Sequence, residues 1–322
     1  MWSMLRFVTV KKALDWFLYV VIRVSLFLLS WTPRFLAHFI CRTVAAWVYR
    51  VDSKHRSVGM TNLAIAFPGR SVGWRRRVLR DSFLQLGDQA VELSRLPTMQ
   101  SAEMCRRVRY ESQYGLTNYL EARNTGKGVL FVTAHMSAWE LLPAAHAARG
   151  YPLSFLVRRL DNPWLDRWSE TIRCRFGNHV VDKRRALRKV MRLIQEGKDV
   201  GFLLDQNVQE SEGVYAPLFG RPASTSSSAA ALAVRTEAPV VLGFLRPDYR
   251  LGFYRIRFYP ALHARPEEDP ETEILRLTAE INRHIEEVIR EFPSHWLWGH
   301  RRFQTQPDGR HPYVGIGLKI EN

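Results

Sequence analysis

GVLFVTA, residues 128–134, is the stretch of sequence that decides the fold. It lies just after Gly126, where a helical pattern gives way to short apolar runs, and it is typical of a strand buried on both faces. Later runs predict further strands of this kind: PLSFLV (152–157), DVGFLLD (199–205) and PVVLGFL (239–245). Helices are predicted between them, over residues 163–175, 184–196 and 225–236. This alternation predicts an α/β fold with a mixed, largely parallel sheet flanked by helices.

The rest of the chain predicts further elements around that sheet. The alternating run YRIRFYP (254–260) predicts a half-exposed antiparallel strand, and residues 270–291 predict an amphipathic helix. We expect four regions: a membrane-anchoring or interfacial helical segment (1–50), a helical region that packs on the core (51–120), an α/β domain with the candidate catalytic residues (121–304) and a C-terminal tail (305–322).

The N-terminal segment is strongly apolar. Residues 16–31, WFLYVVIRVSLFLLSW, contain one charged residue, Arg23, and a second apolar stretch follows at 35–49. Sixteen residues are fewer than the roughly 20 that cross a bilayer upright, and Arg23 near the middle costs about 2.5–3.5 kcal/mol on insertion scales. No small-residue cleavage pattern follows, so we expect a retained anchor that either spans the membrane or lies in its interface. The alternative is a buried helical hairpin of a soluble fold.

The charge balance points to anionic partners. Lys and Arg number 47 against 31 Asp and Glu, which gives a net charge of +16. Such a balance suits phospholipid headgroups, a phosphorylated lipid, an acidic carrier protein or nucleic acid. The three cysteines, Cys41, Cys105 and Cys174, follow no metal-binding or disulfide spacing, so neither a metal site nor a disulfide framework is expected.

The sharpest local motif is His135-Met-Ser-Ala-Trp-Glu140, directly after the first predicted strand. Five residues along one helix would place the two side chains about 140° apart, so we expect His135 in the turn before the helix. There Glu140 can fold back onto one ring nitrogen and leave the other to accept a proton from a hydroxyl. The alternative is structural, because Ser137-x-x-Glu140 is also a capping box.

Other polar residues follow the next predicted strands at the same edge of the sheet. Arg158 and Arg159 suit a phosphate or a developing oxyanion, or form an ordinary surface pair. Asp205 ends the third strand and either orients a base or an arginine, contacts the substrate, or caps a turn. The run Ser224–Ser226 opens a predicted helix and suggests either an anion site or simple capping.

Together, His135 with Glu140, VRR (157–159), LLDQN (203–207) with GVYAPLFGRPAST, and HWLWGHRRF (295–303) resemble the lipid A late acyltransferases, the lauroyl and myristoyl transferases. This family lies within the wider HxxxxD/E glycerolipid acyltransferases. The resemblance covers most of the chain, and its specificity comes from the order and spacing of the pieces.

The resemblance implies an enzyme of the bacterial inner membrane with its catalytic body on the cytoplasmic side. It implies acyl carrier protein as acyl donor and an anionic, phosphorylated lipid A precursor as acceptor, with no cofactor, no metal and no nucleic acid. In that scheme His135 deprotonates the acceptor hydroxyl, Glu140 orients the ring, and Arg158 or Arg159 binds a phosphate or steadies the oxyanion. No covalent enzyme intermediate is required.

Three rival hypotheses remain open at the level of sequence. The same chemistry would serve another glycolipid or a glycerophospholipid acceptor, or a coenzyme A donor. A basic, membrane-attached binding protein without catalysis would explain the charge, although no nucleic-acid recognition motif supports that version. A serine hydrolase is suggested by the serines near residue 226.

Overall fold

The computed structural model describes residues 2–111, 115–157, 159–182, 187–248 and 252–314. Its centre is a seven-stranded sheet in the order β1-β9-β8-β2-β5-β3-β4. The strands of this sheet are β1 Val108–Tyr110, β2 Leu130–Thr133, β3 Leu153–Val157, β4 His179–Asp182, β5 Asp199–Leu203, β8 Val240–Asp248 and β9 Phe253–Phe258. Strands β8, β2, β5, β3 and β4 are parallel, and β9 runs antiparallel to β8. The predicted mixed, largely parallel sheet is confirmed.

Eleven α-helices are present in the described part of the chain, and several of them flank the sheet. They are α1 Trp2–Trp31, α2 Arg34–Val51, α3 Ser53–Ala66, α4 Val72–Arg95, α5 Ser101–Arg107, α6 Leu116–Arg123, α7 Leu141–Ala147, α8 Pro163–Arg173, α9 Leu187–Gln195, α10 Ser228–Thr236 and α11 Pro270–Glu291. The predicted helix 270–291 matches α11, whose N-cap Asp269 accepts a hydrogen bond from the backbone of Thr272.

One predicted helix begins at the wrong residue, and another lies partly outside the described residues. Residues 225 and 226 do not open a helix, because they end strand β7 (Arg221–Ser226), which pairs with β6 (Gly213–Leu218) in a separate antiparallel hairpin. Helix α10 therefore begins at Ser228. The first residues of the predicted helix 184–196 lie outside the described residues, and α9 begins at Leu187.

The sheet separates two apolar clusters, as the alternation of side chains along a strand requires. In β2, Leu130 and Val132 pack on one side, whereas Phe131 packs on the other. Gly243 of β8 leaves the space that this ring needs, since an added Cβ would lie 2.6 Å from the Phe131 ring. The buried strands β2 and β8 thus form the middle of the sheet, and the candidate site lies next to β2.

Helix α1 is longer than the apolar stretch that suggested it. Its segment Lys11–Trp31 has 21 residues and is long and apolar enough to cross a membrane. It does not stand apart from the body: the Asn162 side chain donates to the carbonyl of Asp15 at 2.7 Å, and the Arg23 guanidinium lies 5.1 Å from the centre of the Trp168 ring. Contact with α8 therefore provides a partner for the one charge in the apolar stretch.

Candidate active site

Two neighbouring parallel strands bring the candidate residues together. Thr133, the last residue of β2, lies opposite Leu203, the last residue of β5. His135 follows the first strand by two residues and Asp205 follows the second by two. Because the carboxyl ends of parallel strands share one edge of a sheet, the imidazole and the carboxylate meet there, where α/β proteins bind ligands.

Asp205 holds both the ring and the backbone of His135. Its Oδ1 lies 2.8 Å from Nδ1 of the ring, and its Oδ2 accepts from the main-chain N–H of His135 at 2.9 Å. The indole of Trp296 donates to the same Oδ2 at 2.8 Å. An ionised carboxylate only accepts hydrogen bonds, so Nδ1 carries the proton and Nε2 is left with its lone pair free to act as a base.

The charges of this pair reinforce each other. Burial favours a raised pKa for Asp205, which is 2 % exposed, but the charge of His135 and the hydrogen bonds from His135 and Trp296 lower that pKa to about 2. Burial also disfavours protonated His135, yet the charge and hydrogen bond of Asp205, with a smaller contribution from the charge of Glu140, raise the pKa of His135 above its ordinary value. The carboxylate therefore stays ionised while the ring takes up a proton.

Glu140 has a different partner from the one the sequence predicted. Its two carboxylate oxygens accept from Arg173 of α8, at 2.7 Å from Nη2 and 3.2 Å from Nε. The prediction that Glu140 orients the His135 ring is thus corrected: Asp205 binds Nδ1. The physical reason is that α7 begins at Leu141, so Glu140 ends the preceding turn, where its side chain meets α8.

The capping-box alternative is also wrong. Glu140 is the N-cap residue of α7 and makes no capping hydrogen bond with its side chain. Ser137 adopts a left-handed conformation with φ of 51°, and its hydroxyl lies 2.9 Å from Nδ1 of His295. Its backbone N–H donates to the carbonyl of His295, also at 2.9 Å. The turn between β2 and α7 is therefore held by the segment around residues 293–296 and not by a capping box.

An apolar cleft opens beside this turn. It lies over one face of β2, β5 and β3, and its wall is apolar except for Thr133, Glu140 and Arg173. Gly201 of β5 faces it without a side chain, and Leu203 at the end of the same strand is 44 % exposed. The ion pair of Glu140 with Arg173 thus forms the polar part of an otherwise apolar wall.

Arg159, one of the two predicted arginines, does not join His135 in the described part of the chain. Arg158 lies outside the described residues. Arg159 is exposed, and its guanidinium binds Asp182 at 2.9 Å and Asp166 at 3.5 Å. Two carboxylates already balance its charge, so the contacts favour the alternative of an ordinary surface pair.

The structure also argues against the predicted ligand contacts of Asp205 and of the serines near residue 226. Asp205 is buried, and its two oxygens accept hydrogen bonds from His135 and Trp296, so it orients the imidazole of His135 and is not exposed to a ligand. Ser224 belongs to β7, where its carbonyl accepts from the fully buried Arg302 at 2.6 Å. Its neighbour Thr225 is also buried, which argues against an exposed anion site there.

Sequence reasoning missed two residues of the site, Trp296 and Arg173. Trp296 lies in HWLWGHRRF, where a buried indole N–H needs an acceptor, but the sequence does not indicate which one. The same segment supports the loop that carries Asp205, because Nε2 of His300 accepts from the backbone N–H of Asn207 at 2.9 Å. Burial lowers the pKa of His300 to about 4, so its ring stays neutral.

Several known proteins are similar to this chain over most of its length. Residues 5–305 match the family model described as bacterial lipid A biosynthesis acyltransferase. The lipid A biosynthesis lauroyltransferase of Escherichia coli (strain K12) is 26% identical over 255 residues, which cover 77% of this chain and 78% of that protein. The lipid A biosynthesis palmitoleoyltransferase of the same strain is 24% identical over 273 residues, 84% of this chain and 86% of that protein. A lipid A biosynthesis acyltransferase of Haemophilus influenzae is also 24% identical, over 83% and 84% of the two chains. The protein belongs to the bacterial lipid A biosynthesis acyltransferase family.

Proposed function

We propose that the protein moves a fatty acyl chain from an acyl carrier protein thioester to a hydroxyl of a lipid A precursor. His135 is the general base, and Asp205 is the carboxylate that orients it. The observation that carries this proposal is the 2.8 Å hydrogen bond between Nδ1 of His135 and buried Asp205, which leaves Nε2 as the proton acceptor. The reaction takes place at the cytoplasmic face of the inner membrane, where the charged donor is available.

The transfer is a direct acyl exchange. Nε2 of His135 takes the proton of the acceptor hydroxyl while the oxygen attacks the thioester carbonyl carbon. The C–S bond then breaks, and the proton on Nε2 passes to the leaving thiolate. The ring is an imidazolium between these steps, and the negative charge of Asp205 stabilises it throughout.

Glu140 supports the same step through its charge. Its carboxylate is held by Arg173, and its negative charge adds to that of Asp205 in raising the pKa of His135. We assign Glu140 to electrostatic stabilisation of the imidazolium at the mouth of the cleft. This replaces the ring-orienting role, which Asp205 fills.

The apolar cleft beside Glu140 takes the acyl chain. It begins next to the turn of His135, and its walls come from α7 and from strands β2, β3 and β5. An acyl chain placed there has its apolar carbons against Phe155 and Leu203, and we place its carbonyl end where Trp139 and Glu140 line the cleft, next to the turn of His135. The excess of basic residues agrees with donor and acceptor that are both acidic.

Transfer of a labelled acyl chain to a phosphorylated, hydroxyacylated lipid A precursor in detergent tests the proposed function. Purified full-length protein is expected to form product with acyl carrier protein as donor and to prefer it to coenzyme A. Product with a glycerophospholipid acceptor, and none with the lipid A precursor, would contradict the proposed acceptor. If folded protein transferred the acyl chain to neither acceptor, the proposed acyltransferase activity would be contradicted.

Filling the cleft at Gly201 is expected to shift the donor preference toward shorter chains. An added Cβ would lie 3.4 Å from the Cβ of Phe155, so Gly201→Ala and Gly201→Val project progressively further into the cleft. Each methylene that no longer fits loses about 0.8 kcal/mol, roughly a fourfold drop in kcat/KM for the longer donor. Competition between donors of different length measures the shift. An unchanged preference in folded Gly201→Val would place the acyl chain elsewhere.

A further inference from the structure

Helix α2 is apolar on the side that it exposes. Its exposed positions recur every three or four residues and so share one face of the helix. They are Phe35, Leu36, Phe39, Ile40, Thr43, Val44, Trp47, Arg50 and Val51. Seven of the nine are large and apolar, and Phe35 and Phe39 are 78% and 68% exposed. A face of this kind on a soluble surface helix would carry polar residues.

The opposite side of α2 carries the ionic contacts. Nδ1 of His38 lies 2.8 Å from Oδ1 of Asp88 on α4, and Nη1 of Arg42 donates to Oδ2 of the same residue at 2.8 Å. Arg34 pairs with Glu92 of α4 at 3.3 Å. The helix therefore directs these charged groups toward α4 and its large apolar groups outward, which is the arrangement expected of a surface that meets lipid.

The charges at the edges of this face fit an anionic bilayer. Arg50 is the one charged residue among the nine exposed positions, and no carboxylate is among them. At the C-terminal end of α2, Arg50 lines one open cleft together with Arg56 of α3 and Arg76 of α4. Trp47 and Arg50 are also the residue types that settle at the level of lipid headgroups.

We propose that α2 lies in the plane of the membrane interface, with its exposed face among the acyl chains of an anionic bilayer. This contact with lipid is separate from any made by α1. Helix α1 also exposes apolar residues, and only Thr32 and Pro33 separate it from α2. The lipid-facing helix is connected to the site, because α2 packs on α4 and α4 contacts the turn Pro293–His295. That turn holds Ser137, and the next residue, Trp296, holds Asp205. Docking through α2 thus sets the height of the catalytic edge above the lipid.

Photocrosslinking in the full-length protein tests this proposal without removing any native residue from the active site. The photoreactive amino acid p-benzoylphenylalanine is placed at Phe39 or Trp47, and the protein is reconstituted in vesicles of phosphatidylethanolamine and phosphatidylglycerol. The matched control is Leu275, which is 44% exposed on α11. Lipid adducts, detected by mass, are expected at both α2 positions and not at the control.

Two outcomes would contradict the lipid contact of α2, and each can be told apart from a failure of the proposed acyl transfer. Adducts between two copies of the protein, without lipid adducts, would assign the face to a self-association interface and overturn the proposal. Lipid adducts at Phe39 no more abundant than at Leu275 would also overturn it. Each variant is checked for native melting and for acyl transfer in detergent, where no bilayer is needed, so that loss of folding or of chemistry is recognised separately.

Discussion

His135→Ala is expected to lower the rate of acyl transfer by about 10²–10⁴-fold, the range over which a positioned general base contributes. The alanine variant keeps the apolar cleft proposed for the donor chain but has no group to accept the hydroxyl proton. Single-turnover transfer from acyl carrier protein, measured with enzyme in excess, reports this step without the contribution of product release.

The control for that variant is a histidine at the other end of the sheet. His179 is exposed at the start of β4, away from the carboxyl edge where His135 lies. His179→Ala is expected to transfer at the wild-type rate. If His135→Ala retained wild-type transfer, another group would have to be the base.

Asp205→Asn is expected to have nearly as large an effect although it keeps the shape of the side chain. The asparagine amide can donate to Nδ1 of His135, which favours the tautomer with its proton on Nε2, the nitrogen that must accept one. In serine proteases a substitution of this kind lowers kcat by about 10⁴. We expect a loss of about 10²–10⁴-fold in single-turnover transfer.

Asp199 is a matched control for Asp205. It is the first residue of β5, whereas Asp205 follows the carboxyl end of the same strand. It is also 2% exposed and accepts from a backbone N–H, that of Val129 at 2.9 Å. Asp199→Asn removes a comparable buried carboxylate far from His135, so the folded fraction should transfer normally. Equal losses in both variants would mean that general destabilisation, and not the tautomer, explains the effect of Asp205→Asn.

The sequence predicted the strands and the position of His135 well, for a physical reason. Strands that are buried on both faces appear as continuous apolar runs, and GVLFVTA and DVGFLLD correspond to β2 and β5. The residue after such a run lies at the edge of the sheet. His135 could therefore be placed at that edge without knowledge of the strand order.

The partner of His135 could not be predicted in the same way. Glu140 is five residues away in sequence, whereas Asp205 is 70 residues away and becomes a neighbour because β5 pairs with β2. Nothing in the sequence gives that strand order. A local pattern thus suggested the nearer carboxylate, and the tertiary structure selected the more distant one.

Arg173 and the β6–β7 hairpin were missed because their signals are tertiary or weak. Arg173 ends an ordinary amphipathic helix, and its contact with Glu140 depends on how α8 packs. The hairpin strands contain Pro217, Pro222 and a run of small polar residues. A sequence of this kind is not typical of a strand and shows no clear alternation of apolar and polar residues.

The pH dependence of single-turnover transfer in the wild type and in Asp205→Asn tests most directly that Asp205 tunes His135. In the proposed mechanism neutral His135 is the active form, so transfer is expected to rise with pH through the pKa of this residue, which Asp205 raises. Removing that charge lowers the pKa, and the residual transfer of Asp205→Asn is expected to reach half of its maximum at a lower pH than in the wild type. The same half-maximal pH in both proteins would contradict the pairing of Asp205 with the catalytic base.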